Sequence, residues 1–187
     1  ELRRTLHDTE ALSKLGVAWD AGNGIAGGVI AQLLSSTPEG LHVPLYLEND
    51  SRFPHHHPEP SVAENLAALQ DAMHRAPGKL ALGVAFDGDG DRLGVVDERG
   101  AIVSPDHLLM LLADDVLART PGATIIADVK TSDHFFARVS ARSGTPLMWI
   151  TGHAHIKTKL AETGAKFAGE ASGHIFFADE YYGYDDG

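Results

Sequence analysis

The chain has 187 residues, 43% hydrophobic and 22% charged, which leaves room for one large or two small domains with a buried core. Its formal net charge of −11 argues against a nucleic-acid partner, because a polyanion is bound by a basic surface. The longest apolar run, 108–113, is far shorter than the roughly 20 residues that cross a bilayer, and cysteine is absent, so we expect a cytoplasmic protein without a membrane partner or thiolate chemistry.

Apolar runs of strand length alternate with segments of helical period, a pattern that is typical of a mainly parallel α/β sheet. The elements predicted for the first half are, in chain order, a strand at 15–19, a glycine-rich turn, a helix at 25–34, a strand at 41–47, a helix near 62–73, and strands at 80–86 and 93–96. The helix near 62–73 carries its apolar side chains on one face, at Val62, Leu66, Leu69 and Met73.

The same alternation restarts in the second half. Ser104 is a suitable N-cap and Pro105 suits the first helical position, so a helix is predicted from there to about Thr120. Its predicted core-facing residues are Leu108, Leu112 and Val116. The remaining elements are, in chain order, a strand at 124–128, a helix at 132–142, a strand at 147–150, a helix at 153–162, and strands at 166–169 and 175–177.

These elements predict an α/β protein of two consecutive α/β/α layered domains with mixed, mainly parallel sheets. The boundary is placed near Gly100, which gives domains 1–100 and 101–187. The chain opens without Met and stops just after a Tyr-Gly-Tyr-Asp-Asp-Gly segment. We therefore expect an excised piece of a longer protein whose second domain is incomplete.

The most specific local signal is Asp87-Gly88-Asp89-Gly90-Asp91-Arg92 between two predicted strands. Three carboxylates at alternating positions, separated by glycines, let a tight loop direct hard oxygen ligands at one Mg²⁺ or Ca²⁺. The alternative is a solvated acidic turn, although a turn requires only one or two Asp. An EF-hand is excluded, because Arg92 stands where that loop requires Gly. A haloacid-dehalogenase-like phosphatase with Asp87 as the nucleophile is another alternative, although it would require Thr or Ser soon after.

A second glycine-rich motif, 22–27, follows the first predicted strand and matches GxGxxG. Glu48 follows at about the spacing of a ribose-binding acid. A dinucleotide-dependent oxidoreductase domain is therefore an alternative function. Close packing of strand and helix is the favoured explanation, because any tight βα turn requires glycines.

The run His55-His56-His57 lies in a segment bounded by prolines. Adjacent residues of an extended segment point in opposite directions, so we interpret this run as a packed or solvated loop and not as a zinc site.

Polar residues also follow the predicted strands of the second half. The segment Gly169-Glu170-Ala171-Ser172-Gly173-His174 combines groups that can bind a polyol, and Glu170 and Ser172 would point to the same side if it were extended. Lys130 ends another strand, where it could meet a phosphate. His153 opens a helix, a position suited to an anion.

Taken together, these segments resemble the bacterial phosphomannomutase/phosphoglucomutase group of the α-D-phosphohexomutase superfamily over almost the whole chain. The segments 87–92 and 169–174, in this order and about eighty residues apart, make the resemblance specific to this family. Further segments that carry the resemblance are 20–24, 53–60, 128–130, 151–153 and the closing 182–187.

The resemblance implies a role for each motif residue. By it, Asp87, Asp89 and Asp91 bind Mg²⁺. Arg92 reaches the sugar-phosphate region, and Glu170 and Ser172 bind sugar hydroxyls. Further active-site residues implied by the resemblance are Lys130, His153 and His174, of which the last is an acid/base candidate. Ala171 stands where the family often has Met, a departure that leaves the hydroxyl-binding side chains in place.

The resemblance also implies a larger enzyme of four domains, of which this chain matches the second and most of the third. Such enzymes interconvert hexose 1-phosphates and hexose 6-phosphates of mannose or glucose through a 1,6-bisphosphate and an enzyme phosphoserine. The sequence contains neither the family's Ser-His-Asn phosphoserine loop nor its last phosphate-binding loop. The expected partners are therefore hexose phosphates and the missing domains of the same polypeptide, and the chain alone is expected to be inactive.

Overall fold

The computed structural model describes residues 13–178 and 182–184. Of the closing segment 182–187, only the first three residues lie within this part. The chain divides into two compact units, Glu1–Val103 and Ser104–Gly187, and each is described by itself.

The first unit is built around a five-stranded mixed sheet with the strand order β2-β1-β3-β4-β5. β1 pairs in parallel with β2 and β3, whereas β4 and β5 run antiparallel to their neighbours. The elements are, in chain order, β1 (Gly16–Asp20), α1 (Ala26–Leu34), β2 (Val43–Leu45), a 3₁₀ helix (Ala63–Leu66) that runs into α2 (Ala67–Arg75), β3 (Leu80–Phe86), β4 (Leu93–Asp97) and β5 (Ile102–Val103).

A core cluster of the first unit lies between the sheet and the 3₁₀ helix with α2. Leu66, Leu69 and Met73 are buried there, as their helical spacing predicted. Val62 is different, because it is 41% exposed. Its backbone is extended and it only caps the 3₁₀ helix, so its side chain does not share the buried helical face.

The second unit contains a four-stranded sheet with the order β7-β6-β8-β9, in which β6 pairs in parallel with β7 and β8 and only β9 runs antiparallel. The elements are, in chain order, α3 (Pro105–Arg119), β6 (Thr124–Asp128), α4 (Asp133–Ala141), β7 (Thr145–Trp149), α5 (His153–Thr163), β8 (Phe167–Gly169) and β9 (Ile175–Phe177). The predicted class of two α/β/α domains with mixed, mostly parallel sheets is confirmed.

Helix α3 begins as its sequence predicted, with Pro105 in the first turn and the Ser104 hydroxyl accepting the His107 N–H. Its predicted core face is wrong for two residues, since Leu108 and Leu112 are only half-buried. The buried residues of α3 are Leu109, Ala113, Val116 and Leu117. The reason is Gly169 on β8, because its missing side chain leaves the space that Leu109 fills.

Parallel pairing brings three strand ends together at one edge of each sheet. In the first unit these are the ends of β1, β2 and β3, and in the second those of β6, β7 and β8. The polar motifs of the sequence follow these ends. None of the helices in the described part of the chain has the length and apolar composition that crossing a membrane requires.

Candidate active site

The acidic loop 87–92 is the tip of the hairpin formed by β3 and β4. Asp87 is 1% exposed, and its side chain accepts hydrogen bonds from the backbone of this tip. Its Oδ1 accepts backbone N–H groups from Gly90, Asp91 and Arg92 at 2.9, 3.0 and 3.2 Å. The loop is therefore shaped by one of its own carboxylates.

The loop also brings its three carboxylates together. One oxygen each from Asp87, Asp89 and Asp91 lies within 4.8 Å of the other two. Among the described residues, this is the one group of acidic, histidine or cysteine side chains gathered closely enough to hold a metal ion. Carboxylate oxygens are the ligands that Mg²⁺ prefers, so the residues fit the predicted cofactor.

Arg92 connects this loop to a second acid. Its Nε donates to Asp87 Oδ2 at 2.7 Å, and its Nη1 donates to Glu59 Oε2 at 2.5 Å. Burial raises the pKa of Asp87, but the hydrogen bonds and charge of Arg92 outweigh burial and hold that pKa below its ordinary value. Burial also raises the pKa of Glu59, but hydrogen bonds from Ser61 and Arg92 hold it below its ordinary value, so both acids are charged at neutral pH. No partner was predicted for Glu59, because its position between two prolines gives no signal of one.

The glycine-rich turn 22–27 packs directly against the acidic loop. The Ile25 N–H donates to the Gly88 carbonyl at 3.1 Å. A Cβ on Gly24 would lie 2.8 Å from the carbonyl oxygens of Asp87 and Gly88, and one on Gly27 would overlap the Leu47 carbonyl. The close packing of backbones thus explains these glycines without a dinucleotide.

The histidine run belongs to the same edge as a packed loop. His56 Nε2 lies 3.1 Å from Oδ2 of the buried Asp20, and His55 Nδ1 lies 2.6 Å from Asn23 Oδ1. The His55 ring stacks on Tyr46 with 4.0 Å between centroids. These contacts fix the loop that follows β2 against the end of β1.

In the second unit, the carboxylate of Asp128 occupies the centre of the corresponding edge. Asp128 ends β6 and is 0% exposed. Its Oδ1 accepts the Thr131 hydroxyl at 2.8 Å and the Ala171 N–H at 3.1 Å, while Oδ2 accepts the Thr151 hydroxyl at 2.8 Å. In the sequence, Asp128 was only the first residue of the segment 128–130, and no role was predicted for it.

Glu170 follows β8 and is 1% exposed. Its Oε1 accepts the Gly152 N–H at 2.5 Å, and its backbone carbonyl accepts the Gly173 N–H at 3.0 Å. The second bond closes a turn over 170–173. The segment is therefore the tight tip of the β8–β9 hairpin and not extended, so the condition under which Glu170 and Ser172 would point to the same side is not met.

The other predicted site residues of this unit follow the same strand ends. Lys130 is exposed in the turn after β6, and Ser172 is half-buried in the β8–β9 tip. His153 begins α5, and its ring stacks on that of His174 with 5.6 Å between centroids and 20° between planes. The structure thus brings the two imidazoles together.

Each unit is an α/β/α layered domain whose polar loops gather at the carboxyl edge of its parallel strands, where α/β proteins bind their ligands. Residues 3–100 match the family model for phosphoglucomutase/phosphomannomutase alpha/beta/alpha domain II, and residues 104–187 match that for domain III. The chain belongs to the phosphoglucomutase/phosphomannomutase family. This membership favours the phosphohexomutase prediction over the oxidoreductase and phosphatase alternatives.

Relatives and solved structures show the same similarity. The chain is 48% identical over 186 residues to a phosphomannomutase/phosphoglucomutase of Pseudomonas aeruginosa, covering 98% of this chain and 39% of that protein. It is 44% identical to a phosphoglucomutase of Neisseria gonorrhoeae, covering 92% of this chain and 37% of that protein. A crystal structure of a family member from Burkholderia thailandensis superposes with a TM-score of 0.85 at 47% identity, covering 92% of this chain and 37% of that one.

Proposed function

We propose that this chain is the metal-loop and sugar-loop segment of a phosphohexomutase that interconverts hexose 1-phosphates and hexose 6-phosphates of mannose or glucose. The observation that carries the proposal is the convergence of Asp87, Asp89 and Asp91 at the sheet edge of a domain II match. The chain spans 37–39% of the length of the relatives described above, so the remaining parts of the reaction belong to residues outside it.

In the first unit, we assign Mg²⁺ to the three carboxylates of the acidic loop. The ion would supply positive charge that stabilises a transferring phosphoryl group. Asp87 is fixed by three backbone N–H groups, which orients one ligand in advance. Arg92 is assigned to the sugar-phosphate region, where its guanidinium is held by Asp87 and Glu59.

In the second unit, we assign substrate contacts to the loops after β6, β7 and β8. Lys130 would offset the charge of a phosphate, and Ser172 would hydrogen-bond a sugar hydroxyl. Glu170 is assigned to the sugar loop, and its bond with Gly152 also orients the start of α5. His153 and His174 complete the group, and His174 is the acid/base candidate.

The proposed reaction has two phosphoryl transfers. A sugar hydroxyl oxygen attacks the phosphorus of a phosphoserine outside this chain, and His174 accepts the hydroxyl proton. The bond from phosphorus to the serine oxygen breaks, and the serine oxygen takes a proton from an acid outside this chain. The resulting 1,6-bisphosphate reorients, and the serine oxygen returns its proton to that acid as it attacks the other phosphoryl group. The bond from that phosphorus to the sugar oxygen breaks, and the sugar oxygen takes the proton held by His174. Both halves need the sugar to be held in either orientation, which is the role proposed for the sugar loop.

A chimera tests this function. Replacing the 186 matched residues of the Pseudomonas aeruginosa relative with this chain should yield an enzyme that converts glucose 1-phosphate or mannose 1-phosphate to the 6-phosphate with Mg²⁺ present. The parent protein serves as the positive control. A soluble, folded chimera without either conversion would contradict the proposal.

The isolated chain should be folded but inactive, since it contains no donor serine loop. The assay mixes it with glucose 1-phosphate, a trace of glucose 1,6-bisphosphate and Mg²⁺, and follows glucose 6-phosphate. Sustained turnover would show that the chain carries its own phosphoryl donor, and the fragment interpretation would then be wrong.

A further inference from the structure

Asp128 is a buried acid to which the proposed function gives no task. It ends the strand that lies between β7 and β8, and it is 0% exposed. Removing an ionised carboxylate from water is costly unless several hydrogen-bond donors replace the water. The donors that face Asp128 therefore indicate what this carboxylate does.

Those donors come from three separate loops. The Thr131 hydroxyl lies in the turn after β6, the Thr151 hydroxyl in the loop after β7, and the Ala171 N–H in the tip after β8. The sequence separations from Asp128 are 3, 23 and 43 residues. One side chain thus connects three loops that are distant from one another in sequence.

Each donor is next to, or two residues from, a residue assigned to the substrate. Thr131 follows Lys130, Thr151 precedes His153 by two positions, and Ala171 precedes Ser172. Two hydrogen bonds from Thr131 close the turn around Lys130. Its hydroxyl donates to the Asp128 side chain, and its N–H donates to the Asp128 carbonyl at 3.0 Å.

We propose that Asp128 is a positioning residue that fixes Lys130, His153 and Ser172 relative to one another through its two carboxylate oxygens. The assignment of those three residues to the substrate rests on the proposed function. Hydrogen bonds to an ionised acceptor are shorter and stronger than neutral ones. Loops held in this way keep a cation, an imidazole and a hydroxyl in one arrangement, which catalysis requires because small misplacements of reacting groups are costly.

The test cuts one connection at a time. Asp128→Ala removes all three connections and is expected to unfold the unit, so the decisive variants are Thr131→Val and Thr151→Val, which keep the side-chain shape and remove one hydroxyl each. Thr151→Ser retains the hydroxyl and should restore wild-type behaviour. Thr158→Val is the matched control, because the Thr158 hydroxyl bonds only within α5, to the Ala154 carbonyl, in the described contacts.

In the chimera, each valine variant should lower kcat by about tenfold, the scale of one lost hydrogen bond to a charged group. KM should change less than kcat, because the variants disturb the orientation of the loops but keep every residue assigned to contact the substrate. Because both hydroxyls bond to one carboxylate, the Thr151→Val effect should shrink in an Asp128→Asn background. If Asp128 only stabilised the fold, the valine variants would lower the thermal midpoint of unfolding but would not lower kcat more than they change KM.

A second measurement uses the 187-residue chain itself and needs no activity. In its NMR spectrum, Thr151→Val should shift the Ala171 amide signal, because the Thr151 hydroxyl and the Ala171 N–H donate to the same carboxylate, whereas Thr158→Val should leave that signal in place. An inactive wild-type chimera would defeat the proposed function while this spectrum still tests Asp128. The inference is overturned if Thr151→Val matches Thr158→Val in kcat or, where the wild-type chimera is inactive, in the Ala171 amide signal.

Discussion

The two units share one arrangement of strands and acids. In each, a middle strand (β1 or β6) lies between two parallel strands, and the third strand turns back through an antiparallel hairpin. An acid ends the middle strand, at Asp20 or Asp128, and another follows the third strand, at Asp87 or Glu170. All four are buried.

The donors that face these acids differ between the units. In the first unit, Asp87 accepts N–H groups of its own loop and the side chain of Arg92, and Asp20 faces an ionisable imidazole of His56. In the second, Asp128 accepts hydroxyl and backbone groups of three loops. The equivalent acids Asp20 and Asp128 therefore face an imidazole in one unit and donors from three loops in the other. The surrounding donors, and not the acid or its place in the sheet, determine the role.

The largest expected difference between the units is the stability that each loses when a side chain is added to a packed glycine. Gly27→Ala places a Cβ on the Leu47 carbonyl, and Gly169→Ala places one on the Leu109 side chain. A side chain can rotate away and backbone cannot, so Gly27→Ala should destabilise the first unit by about 3 kcal/mol and Gly169→Ala the second by less. Urea unfolding followed by tryptophan fluorescence measures this, since Trp19 reports the first unit and Trp149 the second.

Gly28→Ala is the matched control for Gly27→Ala, because it lies in the same helix with nothing within 4 Å of an added Cβ. It should stabilise the first unit by roughly 0.5–1 kcal/mol. Equal destabilisation by the two substitutions would contradict the packing explanation of the glycine-rich motif.

Glu170 should contribute to folding as well as to the site. Glu170→Ala removes the acceptor of the Gly152 N–H and should destabilise the second unit by about 2 kcal/mol, the scale of a buried donor left unsatisfied. Glu170→Gln retains an acceptor and should cost less. Trp149 fluorescence during urea unfolding checks both, and an unchanged midpoint in Glu170→Ala would remove the structural role.

The acidic loop of the first unit should bind Mg²⁺ through exposed as well as buried carboxylates. Asp89 is exposed, so Asp89→Asn should leave the fold intact and weaken Mg²⁺ binding by about tenfold, or about 1.4 kcal/mol. Calorimetry of the 187-residue chain measures the affinity. Asp71→Asn removes an exposed acid of α2 and should bind Mg²⁺ as the wild type does. Identical affinities in both variants would remove Asp89 from the ligand set.

The smallest difference concerns pH. The hydrogen bond with Asp20 raises the pKa of His56 above its ordinary value, against the opposing effect of burial. The stabilisation is therefore fully present below about pH 6.5 and is lost as the pH rises through the higher folded-state pKa. Between pH 6 and pH 9, the free energy of unfolding of the first unit should fall by less than about 1 kcal/mol. The His56→Gln variant should not show this fall. Parallel pH profiles of wild type and variant, read from Trp19, would contradict this linkage.

Much of the fold follows from local sequence. The strands at 80–86, 124–128 and 175–177 have the predicted bounds, since each is a short apolar run between turn residues. The carboxylates of the acidic loop are close together because their alternation and the intervening glycines are local features. The prediction of Ser104 as the N-cap is confirmed, because capping depends on residues within one helical turn.

The remaining features depend on residues far apart in the chain. The core face of α3 shifts because Leu109 fills the space beside Gly169, sixty positions away. Arg92 donates to Glu59, 33 residues away, and Asp20 faces His56, 36 residues away. Neither periodicity nor motif spacing encodes such pairings, because they are set by which strands become neighbours in the sheet.

The acidic loop is a hairpin tip whose flanking residues, Phe86 and Leu93, are paired across the two strands. The sheet therefore fixes where residues 87–92 begin and end. In the second unit, Gly169 pairs with Ile175, so the five residues 170–174 are delimited in the same way. Each acid-bearing segment is thus a stretch of set length between two paired strand ends, and an insertion or deletion within it would have to break a strand pair or a contact with a neighbouring loop.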